Sequence, residues 1–179
     1  MAVQIIVDST ADFSAKEIEK RQITCIPMTV TFGNEQYIDG VDLTKEEFFV
    51  KLINEKEFPK TSQPSPAKFA DCFEEAKENG DDVVAILVSG ALSGTVQSAT
   101  IAKDIAEHDG VYIVDSKSAT LGIRLLVDRA VRMRDQGKSA KEIAEALDEL
   151  KARVRLFAGL DTLEYLQKGG RISKTAASI

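Results

Sequence analysis

Short apolar runs alternate with longer amphipathic stretches along the chain, and this alternation predicts its elements. Residues 4–7 read as a short buried strand ending in Asp8-Ser9-Thr10, after which Ser14-Ala15-Lys16-Glu17 has capping-box spacing and opens a short helix. Residues 25–32 are rich in β-formers, Gly33-Asn34 is a tight-turn pair, and residues 35–38 return as the second arm of a hairpin. A second capping box, Thr44-Lys45-Glu46-Glu47, leads a helix that gathers Phe48, Leu52 and Ile53 on one face. Residues 58–66 carry three prolines and three hydroxyls in nine positions, which predicts a rigid loop rather than an element. Ser65-Pro66 then fits the N-cap and first position of a helix that runs to Asn79, where Gly80 stops it.

Residues 83–88 form an apolar run of strand length, followed by a small, hydroxyl-rich turn and a helix-period segment starting near Ser93. The next strand, 111–114, repeats the ending of the first: Ile113-Val114-Asp115-Ser116 echoes Ile6-Val7-Asp8-Ser9. A long helix from about 118 to 136 is closed by Gly137, and Ser139-Ala140-Lys141-Glu142 caps another that aligns Ile143, Leu147 and Leu150. Residues 154–160 read as a last strand, and Leu163-Glu164-Tyr165-Leu166 begins a short helix ending at Gly169-Gly170.

Strands alternating with helices predict an α/β fold: a mostly parallel sheet with helices on both faces, plus a β-hairpin. Right-handed crossovers bring Ser9-Thr10, the 89–95 turn and the 115–118 segment to one edge of that sheet, the carboxyl edge at which ligands bind in open α/β sheets. A length of 179 residues suits one lobe, and 44% hydrophobic with 29% charged residues is the balance of a folded globular chain. The formal charge of −6, with cations scattered among acids, lacks the basic stripe expected of a nucleic-acid binder. No apolar run approaches the ~20 residues needed to span a bilayer, and the chain enters its first strand without a signal-peptide pattern, so the expectation is a cytoplasmic protein with no integral membrane segment. Cys25 and Cys72 are far apart in sequence and only one histidine is present, so both read as packing residues and no metal site is predicted.

A helix starting near Ser93 directs unpaired N–H groups and partial positive charge at the sheet edge, and Gly94 lets a ligand approach the main chain, which favours an anionic head group. The competing reading of Ser93 is a helix N-cap. Gly90-Ala91-Leu92-Ser93-Gly94 is not a G-x-S-x-G nucleophile elbow, and His108 lies roughly 20 Å along the helix, too far to act as a base and better read as a solvated residue near a helix end. Asp8 and Asp115 could hold Mg²⁺ or accept a phosphoryl group beside Lys117, as in a small-molecule phosphotransferase; the simpler reading is that each caps the loop after its strand. No Walker sequence or dinucleotide fingerprint is present. The polar set Thr61, Ser62, Ser65, Ser93 and Thr95 has no base and suits a carboxylate or phosphate that is held rather than attacked.

Five segments, Val7-Asp8-Ser9-Thr10-Ala11-Asp12, Lys60-Thr61-Ser62-Gln63-Pro64-Ser65, Ser93-Gly94-Thr95-Val96-Gln97-Ser98-Ala99, Val114-Asp115-Ser116 and the 163–173 stretch with Gly169-Gly170-Arg171-Ile172-Ser173, together resemble the DegV family of bacterial fatty-acid-binding proteins. That family has the EDD fold and includes the carrier subunit of fatty acid kinase. The resemblance implies two α/β lobes with the acyl chain in a tunnel between them, and a carboxylate held by Thr61 and Ser93 with Ser62 and Gly94 adjoining. It also implies a C16–C18 fatty acid as ligand, no cofactor and no catalytic residue, a separate kinase as partner, and Arg171 at the pocket mouth or the partner surface. Val96 stands where an aromatic residue is common in the family, a departure expected to alter packing beneath the head group. Against the family pattern, residues 1–179 are expected to form the first lobe only, an incomplete domain whose inter-lobe face is open, drives self-association and binds lipid weakly.

Overall fold

The computed structural model describes residues 2–173. In chain order the strands are β1 (Val3–Asp8), β2 (Ile23–Ile26), β3 (Thr29–Phe32), β4 (Glu35–Ile38), β5 (Lys60–Ser62), β6 (Asp82–Leu87) and β7 (Val111–Asp115). The helices are α1 (Ala15–Arg21), α2 (Lys45–Asn54), α3 (Pro66–Glu78), α4 (Thr95–Ala106), α5 (Leu121–Asp135), α6 (Ala140–Lys151) and α7 (Glu164–Lys168), with a single 3₁₀ turn over Ser9–Ala11. They divide between two compact units, which among the described residues are 2–28 with 63–156, and 29–62 with 157–173.

The first unit is built on a parallel sheet in the order β2-β1-β6-β7. Side chains alternate across it, as the two-residue strand period requires. Ile5 and Val7 of β1 with Val84 and Ile86 of β6 pack against Ile123, Leu126 and Val127 of α5 and Ile143 and Leu147 of α6. On the other face, Ile6 with Val83, Ala85 and Leu87 packs against Phe69 and Phe73 of α3 and Ala99 and Ala102 of α4. Because both faces are covered, the central strands are apolar throughout, so the first and third strands were visible as continuous runs. The two cysteines pack against these two cores.

The second unit carries an antiparallel sheet in the order β4-β3-β5 with a small core of Val30, Phe32 and Leu43, against which Tyr37 and Phe48 pack. Three capping boxes form as the spacing predicts, at Ser14, Thr44 and Ser139.

Several boundaries differ from expectation. The β-rich stretch 25–32 belongs to two sheets, because Pro27 separates β2 from β3 and cannot donate to a ladder. Residues 60–62, expected as loop, form edge strand β5 with Thr61 opposite Val30; all three are exposed, so no apolar alternation marks them. Residues 154–160 form no strand: they pair with no neighbour, and 155–160 are exposed. The helix expected from 118 begins at Leu121, because Ser116 Oγ accepts from Ser118 N (3.2 Å) and Thr120, at φ 44°, donates to the Thr10 carbonyl (3.1 Å). The predicted domain end at Ile179 lies outside the described residues.

Candidate functional site

In the first unit, the strand ends carrying the Asp-Ser pairs meet at the carboxyl edge of the parallel sheet. Asp8 is fully buried; its Oδ2 accepts from Val88 N (2.7 Å), and its Oδ1 accepts from Thr10 N (2.9 Å) and from the Thr10 hydroxyl. Burial pushes its carboxyl above the ordinary range, against the opposing pull of these donors. Asp115 accepts from Gly90 N (3.2 Å) and Lys117 N (2.9 Å), and pairs with Lys117 Nζ at 2.8 Å. Partial burial acts to raise the Asp115 carboxyl, but the Lys117 ammonium and the backbone donors outweigh it and hold the group below its usual value. Both aspartates thus fasten the loops after their strands. Among the described residues, no group of three or more His, Cys, Asp or Glu is arranged to hold a metal ion.

The turn between β6 and α4 is closed by Leu92 N and Ser93 N donating to the Ser89 carbonyl (2.8 and 3.2 Å) and tied to the next loop by Ser89 N donating to the Ser118 carbonyl (2.9 Å). It delivers Ser93 ahead of α4, whose N-cap is Gly94 and not Ser93; no side chain caps this terminus. The Ser93 hydroxyl instead lies 2.9 Å from Thr95 Oγ1. Thr95, expected in the polar cradle, is fully buried, and its hydroxyl points at Met28 Sδ (3.8 Å). Ser93 and Gly94 are half-buried. Gly94 is closely approached by a side chain: a Cβ there would sit 2.5 Å from Gln63 Nε2. A cavity of about 530 Å³ beside this turn is lined by Leu92, Ala119, Val154 and Leu156, with Lys117 and Arg155 among its polar residues.

Ser65 leaves the cradle as well: it N-caps α3, accepting from Lys68 N (3.4 Å). His108 lies just past the C-cap of α4, as expected, but is half-buried and bonded to backbone rather than solvated. Its Nδ1 accepts from Gly110 N (3.3 Å), so Nε2 carries the proton and donates to the Asp81 carbonyl at 2.8 Å.

In the second unit, Thr61 and Ser62 lie exposed on β5. Arg171, just after α7, donates to the Gly169 carbonyl (2.5 Å) and reaches Thr61 Oγ1 at 3.5 Å. Phe58 and Tyr165 stack nearby with centroids 5.7 Å apart, and Lys168 Nζ lies 5.9 Å from the Phe58 ring. The expected residues therefore fall into two clusters, Ser93 with Gly94 in one unit and Thr61, Ser62 and Arg171 in the other. Gln63 and Met28, which join the first cluster, stand 31 and 67 positions from Gly94 and Thr95, so no local spacing could have singled them out.

Residues 2–179 match the family model described as "Uncharacterised protein, DegV family". The chain belongs to the DegV family. A DegV domain-containing protein of Caldanaerobacter subterraneus subsp. tengcongensis is 38% identical over 177 residues, 99% of this chain and 63% of the relative. Among solved DegV-like structures, a stearic acid-binding protein from Eubacterium ventriosum superposes with a TM-score of 0.90 at 37% identity, covering 100% of this chain and 64% of that one. The Streptococcus pneumoniae fatty acid kinase (Fak) B3 protein, loaded with linoleic acid, superposes with a TM-score of 0.82 at 26% identity, again over 100% and 64%. The chain thus spans rather less than two thirds of the length of these relatives. No helix among its described residues is long and apolar enough to cross a membrane.

Proposed function

We propose that this DegV chain takes part in binding a long-chain fatty acid of the C16–C18 class as a non-catalytic lipid carrier, with its carboxylate held by the hydroxyls of Thr61 and Ser93. The observation that carries the reading is the uncapped N-terminus of α4, with Ser93 directly before Gly94 at the carboxyl edge of the parallel sheet. Such a terminus offers N–H donors and partial positive charge to an anion. The fatty acids bound by solved relatives supply the chemical class. Ser62 and Gly94 adjoin the two hydroxyls, and Arg171, beside Thr61, belongs to the pocket mouth or partner surface.

The chemistry assigns separate tasks to head and tail. Burying an acyl chain gains ~0.8 kcal/mol per CH₂, on the order of 10 kcal/mol gross for about sixteen carbons, whereas a hydrogen bond to a charged group contributes ~1.5–3 kcal/mol. The tail supplies affinity and the head supplies orientation. The side-chain hydrogen-bond partner of Ser93 is a threonine hydroxyl, with no base to activate it, so the carboxylate is held and not attacked. Phosphorylation of that carboxylate then falls to a separate kinase, the partner that the kinase B3 relative suggests. A phosphotransferase acting through Asp8 or Asp115 is disfavoured by the hydrogen bonds and ion pair that occupy both carboxylates.

Mass spectrometry of lipid extracted from the purified protein should find a long-chain fatty acid. In stearate titrations of a two-lobed form, Thr61→Val and Ser93→Ala should each weaken binding by roughly 1–3 kcal/mol. Unchanged affinity in both variants with the fold intact, or Mg²⁺-dependent turnover lost in Asp8→Asn, would overturn the reading.

A further inference from the structure

From the hydroxyl pair at the start of α4, and resting on the carboxylate reading above, we infer that Thr95 is a positioning residue: it donates to Ser93 so that the single Ser93 proton is directed to the ligand.

Each hydroxyl has one proton to donate and lone pairs to accept with. Ser93 Oγ and Thr95 Oγ1 are 2.9 Å apart, a distance at which one of them donates to the other. Two arrangements satisfy the pair. In the inward arrangement Thr95 donates to Met28 Sδ, 3.8 Å away, and Ser93 donates to Thr95. In the outward arrangement Thr95 donates to Ser93, whose own proton is then available outside the pair. An ionised carboxylate only accepts, so it is served by the outward arrangement alone. A thioether sulfur is a weak acceptor, so moving the Thr95 proton away from Met28 costs little. Once outward, the chain from Thr95 through Ser93 to the carboxylate is polarised in one direction, which strengthens each bond in it.

The burial of the two residues agrees with this division of labour. Thr95 is fully enclosed and cannot meet a ligand, whereas Ser93 is half-buried and can. At the first helical position the Thr95 hydroxyl lies within reach of both partners, Ser93 Oγ and Met28 Sδ. This explains a hydroxyl at position 95 that packing alone does not need: valine has the same shape.

Stearate titrations of the 179-residue chain and its variants, with urea melts to verify folding, test the role. Thr95→Val keeps the shape and removes the donor; affinity should fall on the order of 3- to 10-fold. Thr95→Ser keeps the donor and loses a methyl group; affinity should stay within about 2-fold of the parent, the reverse of what a packing role requires. Thr95→Ala, compared with Thr95→Ser, reads the same hydroxyl should the valine variant misfold. In a Ser93→Ala background the Thr95→Val loss should vanish. An equal loss in that background, or weakening by Thr95→Ser but not by Thr95→Val, would overturn the positioning role while leaving the carboxylate reading intact. Stearate affinity indifferent to Ser93→Ala would remove both.

Discussion

Asp8 and Asp115 occupy equivalent strand ends yet are held on opposite sides of the ordinary carboxylate range. Asp8 is enclosed and faces only neutral donors, so desolvation dominates; Asp115 is partly open, and the Lys117 ammonium together with the backbone donors outweighs its burial. Neighbouring chemistry, not residue type, thus decides what each carboxyl can do. The same holds at Gly94, whose missing side chain is filled by the Gln63 carboxamide. Gly94→Ala should cost less than about 1 kcal/mol, because the obstacle is the movable end of an exposed side chain, and Gln63→Ala should cancel that cost. Urea midpoints of the two single variants and the double variant measure the coupling; a penalty of several kcal/mol that ignores position 63 would mean that the backbone, not Gln63, crowds Gly94.

At the scale of elements, α1, α2 and α6 are started by reciprocal caps. The Glu17 carboxylate of α1 accepts from Ser14 N (2.9 Å) and its hydroxyl, with Arg124 beside it, and Glu142 of α6 accepts from Ser139 N (2.9 Å) and hydroxyl, with Lys138 beside it. Each is pulled from an ordinary 4.5 down to about 2. The unfolded chain therefore takes up these protons first: the caps contribute fully above pH 4.5 and are lost as pH falls towards 2. Asp8 acts in the opposite sense, since its ionisation is disfavoured in the folded state and that penalty disappears on acidification. Urea midpoints taken from pH 6 down to 2.5 should fall steadily, and a Glu17→Gln/Glu142→Gln variant should fall less steeply. Identical slopes would assign the acid sensitivity to other carboxylates with lowered values, such as Asp81 and Asp115.

At the scale of the molecule, the parallel sheet of the first unit is sealed on both faces, but its outer helical surface is not uniformly polar. Leu121 and Leu125, one turn apart on α5, are 65% and 58% exposed. Residues four apart share a helix face, and exposed apolar side chains gathered on one face mark a candidate interaction surface. This stripe is a surface separate from the inter-lobe face expected above: if it drives self-association, sedimentation equilibrium should show concentration-dependent mass that Leu121→Gln with Leu125→Gln lowers. A parent chain that is monomeric throughout would show that this stripe is tolerated in water.

What the sequence determined by itself is whatever a few neighbouring residues settle among themselves. The capping boxes at Ser14, Thr44 and Ser139, the apolar runs of β1 and β6, the helix stops at Gly80 and Gly137 and the local bonds by which Asp8 holds Thr10 N and Asp115 holds Lys117 N all rest on contacts within a turn or on burial that composition announces. Tertiary structure decided the rest. Residues 60–62 are a strand because β3 supplies a ladder, and 154–160 are not because no partner does; a strand is defined by its neighbour, which its own residues do not name. In the same way Gln63 covers Gly94 and Met28 meets the Thr95 hydroxyl only because the fold closes distant segments on one another, leaving Ser93 half-buried beside an enclosed partner.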